Sequence, residues 1–197
     1  MSIKPLERRR VSPEESRAAA LAAARDLLTR EGAAAVTLQA VAARVGRTHA
    51  NLLHHFGSAA GLQRALAEEI ARTVSSSIES AIEQRRRGEG SERQVIDAMF
   101  EAFRREGAGE LIGWVALTRQ REALEPVIAT IERIIRVMRA AGDVRPVDRM
   151  TLSLTLLAIG DSLAGEEIAR ACGLDRSAIR EVAVAQIEGL AGAPLRD

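Results

Sequence analysis

Apolar and polar positions from Thr37 to Phe56 fall into two short helical registers with a turn between them. Leu38, Val41, Ala42 and Val45 stand at i, i+3, i+4 and i+7, one buried face of a helix. Thr37 before them is a residue of N-cap type. Gly46 follows the last apolar position, where a left-handed C′ residue suits glycine. Thr48 then opens a second helix whose inward residues are Leu52 and Phe56. Ala42 is small where two steeply crossing helices come nearest. A helix, a glycine turn and a second helix make a helix-turn-helix. The second helix would present Thr48, His49, Asn51 and His54 outward, and these side chains can hydrogen-bond to base edges or phosphates.

The pattern elsewhere is also helical. Ser12-Pro13-Glu14-Glu15 is a capping box with proline at the first helical position. It opens a helix to Arg30 that buries Ala20, Leu21, Ala24, Leu27 and Leu28. Ser58 caps a long helix towards Arg87. Its apolar residues Leu62, Leu66, Ile70, Val74, Ile78 and Ile82 lie four apart, so the stripe winds around the axis and can face two neighbours. Gly88 to Ser91 ends it. Val95, Ile96, Met99, Phe100 and Phe103 mark a helix that stops at Gly107, and a short segment from Leu111 to Leu117 carries Trp114. Pro126 begins a helix with Val127, Ile128, Ile131, Ile134, Ile135 and Met138 inward, ended by Ala141-Gly142. Met150 to Leu156 alternates with period two, a strand pattern, but no other segment is available to pair with it. Val147 to Cys172 is therefore read as a helix apolar on two sides, one for its own core and one for a partner. Asp175 or Ser177 opens a last helix with Ile179, Val182, Ala183, Ile187 and Leu190 on one face. The expectation is an all-α chain of about nine helices: a three-helix head at residues 1–56 and a helical bundle at 57–197.

Charge sharpens this division. The chain of 197 residues has a net charge of +1, but residues 1–56 hold nine Lys and Arg against five Asp and Glu, with all three histidines. A basic head on a slightly acidic body fits a polyanion at one end. Arg8, Arg9 and Arg10 lie in a polar arm that either reaches DNA or is simply solvated. Cys172 is the only cysteine, which excludes an intrachain disulfide and reads as a small buried hydrophobe. With no signal peptide and no apolar run of membrane-spanning length, a cytoplasmic location is expected.

The stretch from Ser16 to Leu66 resembles the DNA-binding head of the TetR family of transcriptional repressors. Glu31-Gly32 ends the first helix, Thr37 opens the second, and Gly46, Thr48, Leu52, His55 and Phe56 fall in the family's register. Three positions depart from it. Arg47 stands for an apolar turn residue, Leu53 for a tyrosine and Ala59 for a lysine, and the latter two usually meet phosphate. The resemblance implies a homodimer, paired through its last two helices, that binds a double-stranded DNA operator and is released by a small-molecule effector. It implies Thr37, Arg47, Thr48, His49, Ala50, Asn51, Leu53, His54 and His55 as the DNA-facing set.

Other chemistry is thin. The histidines are spaced five, six and one apart, not the i, i+4 pair of a helical metal site, and no metal or cofactor is expected. There is no nucleophile elbow or phosphate-binding glycine loop, so an enzyme is not expected. Met99, Phe100, Phe103, Trp114 and Asp161 either line a ligand pocket in the body or are plain core. Asp161, a charge in an apolar helix, needs a partner, for which Arg119, Arg121 or a ligand cation would serve. Leu53 and Ala59 keep open an alternative: a helical ligand-binding or interaction protein whose head has lost DNA binding.

Overall fold

The structure is a computed structural model that describes residues 12–118, 124–140 and 142–192. The arm with Arg8, Arg9 and Arg10, and also Arg119, Arg121 and Ala141, lie outside the described residues. Among the described residues the only regular structure is helical, so the period-two run at Met150–Leu156 is helix, as the lack of a pairing partner requires.

The head begins with α1, Pro13–Glu31. The Ser12 side chain accepts from the Glu15 N–H, and the Glu15 carboxylate accepts from the Ser12 N–H, at 3.0 and 2.8 Å. A 3₁₀ turn at Ala33–Ala35 leads to α2, Leu38–Arg44, and α3, His49–Phe56. Ala20, Leu21, Ala24, Leu27, Leu28, Val41, Leu52 and Phe56 are all buried, as their spacing requires. The long α4, Ala59–Arg86, packs on α1 and α3 with its first turns and on the body with the rest.

Four helices form the body with α4. They are α5, Glu92–Glu106; α6, Ala108–Thr118; α7, Glu125–Ala140; and α8, Val147–Ala171. Three of them, α5, α6 and α7, pack on α4, and the fourth, α8, packs on those three. The last helix, α9, Ala178–Gly192, lies against α8 and α5. Ser91 and Gln94 form a second capping box at the start of α5. Arg133 of α7 donates to the Oγ of Ser75 at 2.5 Å and pairs with Glu79, tying α7 to α4 and satisfying a buried hydroxyl. At the end of the bundle remote from the head, Arg145 pairs with Asp143 at 2.6 Å and with Glu92 at 2.8 Å, while Arg85 reaches Glu92 at 2.9 Å. The hydrogen bond from Arg145 is the main cause that holds the Asp143 carboxyl below the usual range.

Some details differ from the sequence expectation. On α7 only Ile134 and Met138 are fully buried and Ile128 is exposed, because α4 and α8 together cover a narrower stripe than the six apolar positions offered. On α9 Ala183 and Ile187 are buried but Val182 is exposed. Cys172 is exposed at the end of α8. Asp161, only 4% exposed, takes its partner from the turn before α9. Arg176 donates to both carboxylate oxygens at 2.9 and 3.1 Å and to the Asp161 carbonyl at 2.8 Å. This bidentate pair neutralises a charge that burial alone would make prohibitive. Gly165 leaves room for it: a Cβ there would lie 2.2 Å from Asp161 Oδ1.

Glu110, on the first turn of α6, lacks such a partner. Its Oε2 is shielded from solvent with no hydrogen bond. Burial is the largest influence and pushes its carboxyl above the usual value, opposed by its own backbone hydrogen bond and the Arg176 charge. A folded-state value above the unfolded one gives stability that is full below the unfolded pKa and is lost as pH rises through the folded one. Glu110→Gln should therefore be more stable than the parent in urea unfolding at pH 7, with no advantage at about pH 3, below the ordinary glutamate value. An equal effect at both pH values would show that ionisation of Glu110 has no part in it.

Candidate nucleic-acid interface

The geometry of the α2–α3 corner follows from its caps. Thr37 Oγ1 accepts from the Ala40 N–H at 3.1 Å, and Thr48 Oγ1 accepts from the Asn51 N–H at 3.2 Å. Between them the Arg47 N–H donates to the Ala42 carbonyl at 2.9 Å and the Gly46 N–H to the Ala43 carbonyl at 3.3 Å. This is the paired closure of a Schellman motif, and it requires the positive φ of 62° that Gly46 adopts. The turn is thus fixed, and α3 leaves it with Leu52 and Phe56 buried against the head.

The opposite side of α3 is open. Arg47, Thr48, His49, Ala50, Leu53 and His54 are exposed, and Thr37 is exposed at the start of α2. Leu53 is 43% exposed. His55 is half-buried between the His54 ring, at 5.8 Å, and the Phe56 ring, at 6.3 Å. Asn51 departs from the expectation: it is half-buried, and its Oδ1 is shielded from solvent without a partner. Of the outward set it is the least able to reach a base edge.

The basic character of the head is narrower than its composition suggests. Arg44 pairs with Asp26 and Glu31, Arg30 with Asp26, and Arg25 with Glu106 of the body. Arg47 makes no side-chain ion pair among the described residues. Arg17 on α1 sits with its guanidinium 4.8 Å from the centroid of the Phe56 ring, at the end of α3. Arg17 was not anticipated as a site residue. Its signal lies in spacing: Arg17, Leu21, Ala24 and Leu28 fall at i, i+4, i+7 and i+11, so an arginine heads the inward stripe of α1. Arg47 and Arg17 are charges free to meet phosphate at either end of α3.

The start of α4 lies beside them. Gly57 turns the chain with φ 73°, and a Cβ on Gly61 would fall 1.9 Å from the Phe56 carbonyl oxygen, so glycine lets α4 close on α3. Ser58 Oγ accepts from the Gly61 N–H at 3.0 Å. Ala59 is exposed at the first position of α4, where a lysine would add a charge beside the positive end of the helix dipole.

The residues considered for a body pocket do not act as one group. A largely apolar cleft of about 780 Å³, open solvent at its mouth included, lies between α4, α5, α7 and α8, and Met99 and Phe103 line it. Phe100 is enclosed elsewhere in the core, and Trp114 is half-buried outside the cleft. Asp161 lines a separate groove of about 700 Å³ between α8 and α9. The cleft's α4 wall, from Ile70 to Ile82, follows from the stripe read in the sequence.

Ala59→Lys tests the placement of this surface. One added phosphate contact steepens log affinity against log salt by about 0.9, or about 1.8 for two heads on one DNA. Fluorescence anisotropy on a selected duplex across a salt series should show that steepening, with tighter binding at low salt. An unchanged slope alongside strong binding by the parent would put the start of α4 away from the DNA backbone.

Residues 20–66 match the family model of bacterial regulatory proteins of the tetR family. No curated protein matches the chain. Three solved structures share its fold nearly end to end. A TetR-family transcriptional regulator from Pectobacterium atrosepticum is 21% identical, with a TM-score of 0.57 over 95% of this chain and 100% of that one. A protein of unknown function from Rhodococcus sp. RHA1 is 24% identical, with a TM-score of 0.60 over 94% and 99%. Thermus thermophilus FadR, a TetR-family transcriptional repressor in complex with lauroyl-CoA, is 18% identical, with a TM-score of 0.54 over 92% and 96%. Residues 20–66 are thus similar to the helix-turn-helix head of the bacterial regulatory proteins of the tetR family, and the chain as a whole shares the all-α fold of these solved structures.

Proposed function

We propose that this protein is a transcriptional repressor that binds a pseudo-palindromic operator as a homodimer and is released by a small-molecule effector. The head, residues 1–56, reads DNA, and the body, residues 57–197, binds ligand and dimerises. The observation that carries this reading is the open face of α3, flanked by two unpaired arginines and held by a fixed glycine turn. In this reading Arg47, Arg17 and His55 meet the backbone, while His49, Ala50, Leu53 and His54 face the major groove. Thr37 and Thr48 set the caps and keep a hydroxyl proton for phosphate, and Asn51 is a minor member. Such a protein works in the cytoplasm, beside the DNA it regulates.

Dimerisation is supported by the second apolar face of α8. Leu156 is 61% exposed there, and Leu152, Leu163, Ile168, Leu174 and Val182 are exposed with it along α8, α9 and the turn between them. Two copies joined across this face form a four-helix contact, setting their α3 helices one DNA turn, about 34–36 Å, apart. The effector reading is supported by the apolar cleft, and a protein of the same fold, FadR, is in complex with lauroyl-CoA.

Selection from random duplex DNA followed by gel shift tests the reading as a whole and should yield a two-fold-related site. Failure to bind any duplex across salt and pH would hand the role to the alternative, a ligand-binding protein with a silent head. Leu156→Arg tests the dimer. The position is open within one protomer, so the variant should fold, sediment as a monomer and lose the operator. Ile187→Arg is a poor probe, because Ile187 is buried within its own protomer. A parent protein that sediments as a monomer at micromolar concentration contradicts the dimer directly.

A further inference from the structure

The cleft between α4, α5, α7 and α8 has a specific polar pattern. Apart from Glu92 and three threonines, every lining residue among those described is apolar. Glu92 is already matched by Arg85 at 2.9 Å and Arg145 at 2.8 Å. Thr151 Oγ1 donates to the Val147 carbonyl at 2.6 Å. Thr130 is half-buried on α7. Thr155 is different: the residue is only 8% exposed, but its hydroxyl oxygen is not sealed away without a partner and stays open to the cleft that it lines. It does not bond back to its own helix, as threonines in helices commonly do. A hydroxyl at the wall of a cleft with no protein partner is available to a bound polar group.

The cleft is also long. Its wall on α4 runs from Ile70 to Ile82, which at 1.5 Å per residue is about 18 Å. Glu92 lies at the end remote from the head. Thr155 lies two turns further along α8 than Val147, towards Phe103 and Ala108.

From these observations we infer that the cleft takes an uncharged, elongated aliphatic molecule bearing one neutral oxygen, an alcohol or carbonyl, that hydrogen-bonds to Thr155. Among the described residues a carboxylate finds no free cation in the lining, and an ammonium finds only a carboxylate already held by two arginines. Either charge would be buried uncompensated. A hydroxyl both donates and accepts, so Thr155 serves an alcohol and a carbonyl equally. The inference rests on the effector reading of the cleft, but not on DNA binding by the head.

The test uses the full-length protein without DNA and four probes: 1-decanol, decane, decanoate and decylammonium, each titrated against a fluorescent apolar reporter dye. Decanol should bind tightest, with the two charged probes at least about tenfold weaker. Thr155→Val keeps shape and removes the hydroxyl. It should weaken decanol about tenfold, the value of one buried hydrogen bond, and leave decane unchanged. Thr155→Ser should restore decanol binding. Decanoate or decylammonium binding as well as decanol overturns the neutrality argument, and decanol unaffected by Thr155→Val overturns the anchor. If none of the probes binds while the head still selects a DNA site, this inference fails and the regulator reading stands. If decanol behaves as expected while no duplex binds, the regulator reading fails and this one stands.

Discussion

A step of four residues overshoots a helical turn by about 40°, so the apolar line from Leu62 to Ile82 drifts through about 200° along α4. That drift is the constraint on which the rest of the structure depends. A straight stripe would bury one side of one helix. The winding one lets Leu62 and Leu66 close the head while Ile70 to Ile82 face the body, and all six residues are buried. Head and body therefore share a continuous core rather than a flexible link. The same drift forms the wall of the cleft, since the body-facing residues of α4 are opposed by α5, α7 and α8 and not all of that surface is filled.

Charge works in the opposite direction from composition. Arginine dominates the basic residues of this chain, yet most of those described are engaged: Arg44, Arg30 and Arg25 by carboxylates of the head or its neighbour, Arg145 and Arg85 by the remote network, Arg176 by Asp161. Exposed pairs of this kind contribute little to stability. Their main consequence here is that they remove positive charge from the surface. What survives among the described residues of the head is placed at the two ends of α3. Within the described surface a polyanion is oriented by those few charges rather than held by a general basic field.

The elements were largely legible in the sequence because each was marked twice, once by its period and once by its caps. Ser12, Thr37, Thr48, Ser58 and Ser91 cap the helices they precede. The strand pattern at Met150–Leu156 was misleading because α8 has two apolar faces, so its polar residues are too few to reveal a helical period. Which face of a helix lies against what was less legible. Ile128 and Val182 match their stripes but stay about half exposed. Cys172 has the composition of a core residue and the position of a helix end. Asp161 demanded a partner, but Arg176 lies fifteen residues on, and only the turn between α8 and α9 brings it back. The site residues were legible as a set because α3 is short and its inward face is fixed by Leu52 and Phe56. Arg17 and the inward turn of the Asn51 amide were not, because both depend on how α1 and α3 meet.

The junction of α5 and α6 shows how the two parts can influence one another. Gly107, with φ 76°, joins them, and a Cβ there would lie 2.9 Å from a methyl of Leu28 and 3.1 Å from one of Thr29 on α1. Glu106 beside it pairs with Arg25 of α1. On the other side of the junction, Phe103 and Ala108 line the cleft. One short segment thus touches the cleft with its side chains and the end of α1 with its backbone. Packed interiors do not deform continuously, so a molecule that spreads the cleft at Ala108 has to shift α6 against α1 or be excluded. Under the proposed reading, that shift changes the position of α3 on the DNA. By linkage, the operator must then weaken the effector by the same factor as the effector weakens the operator.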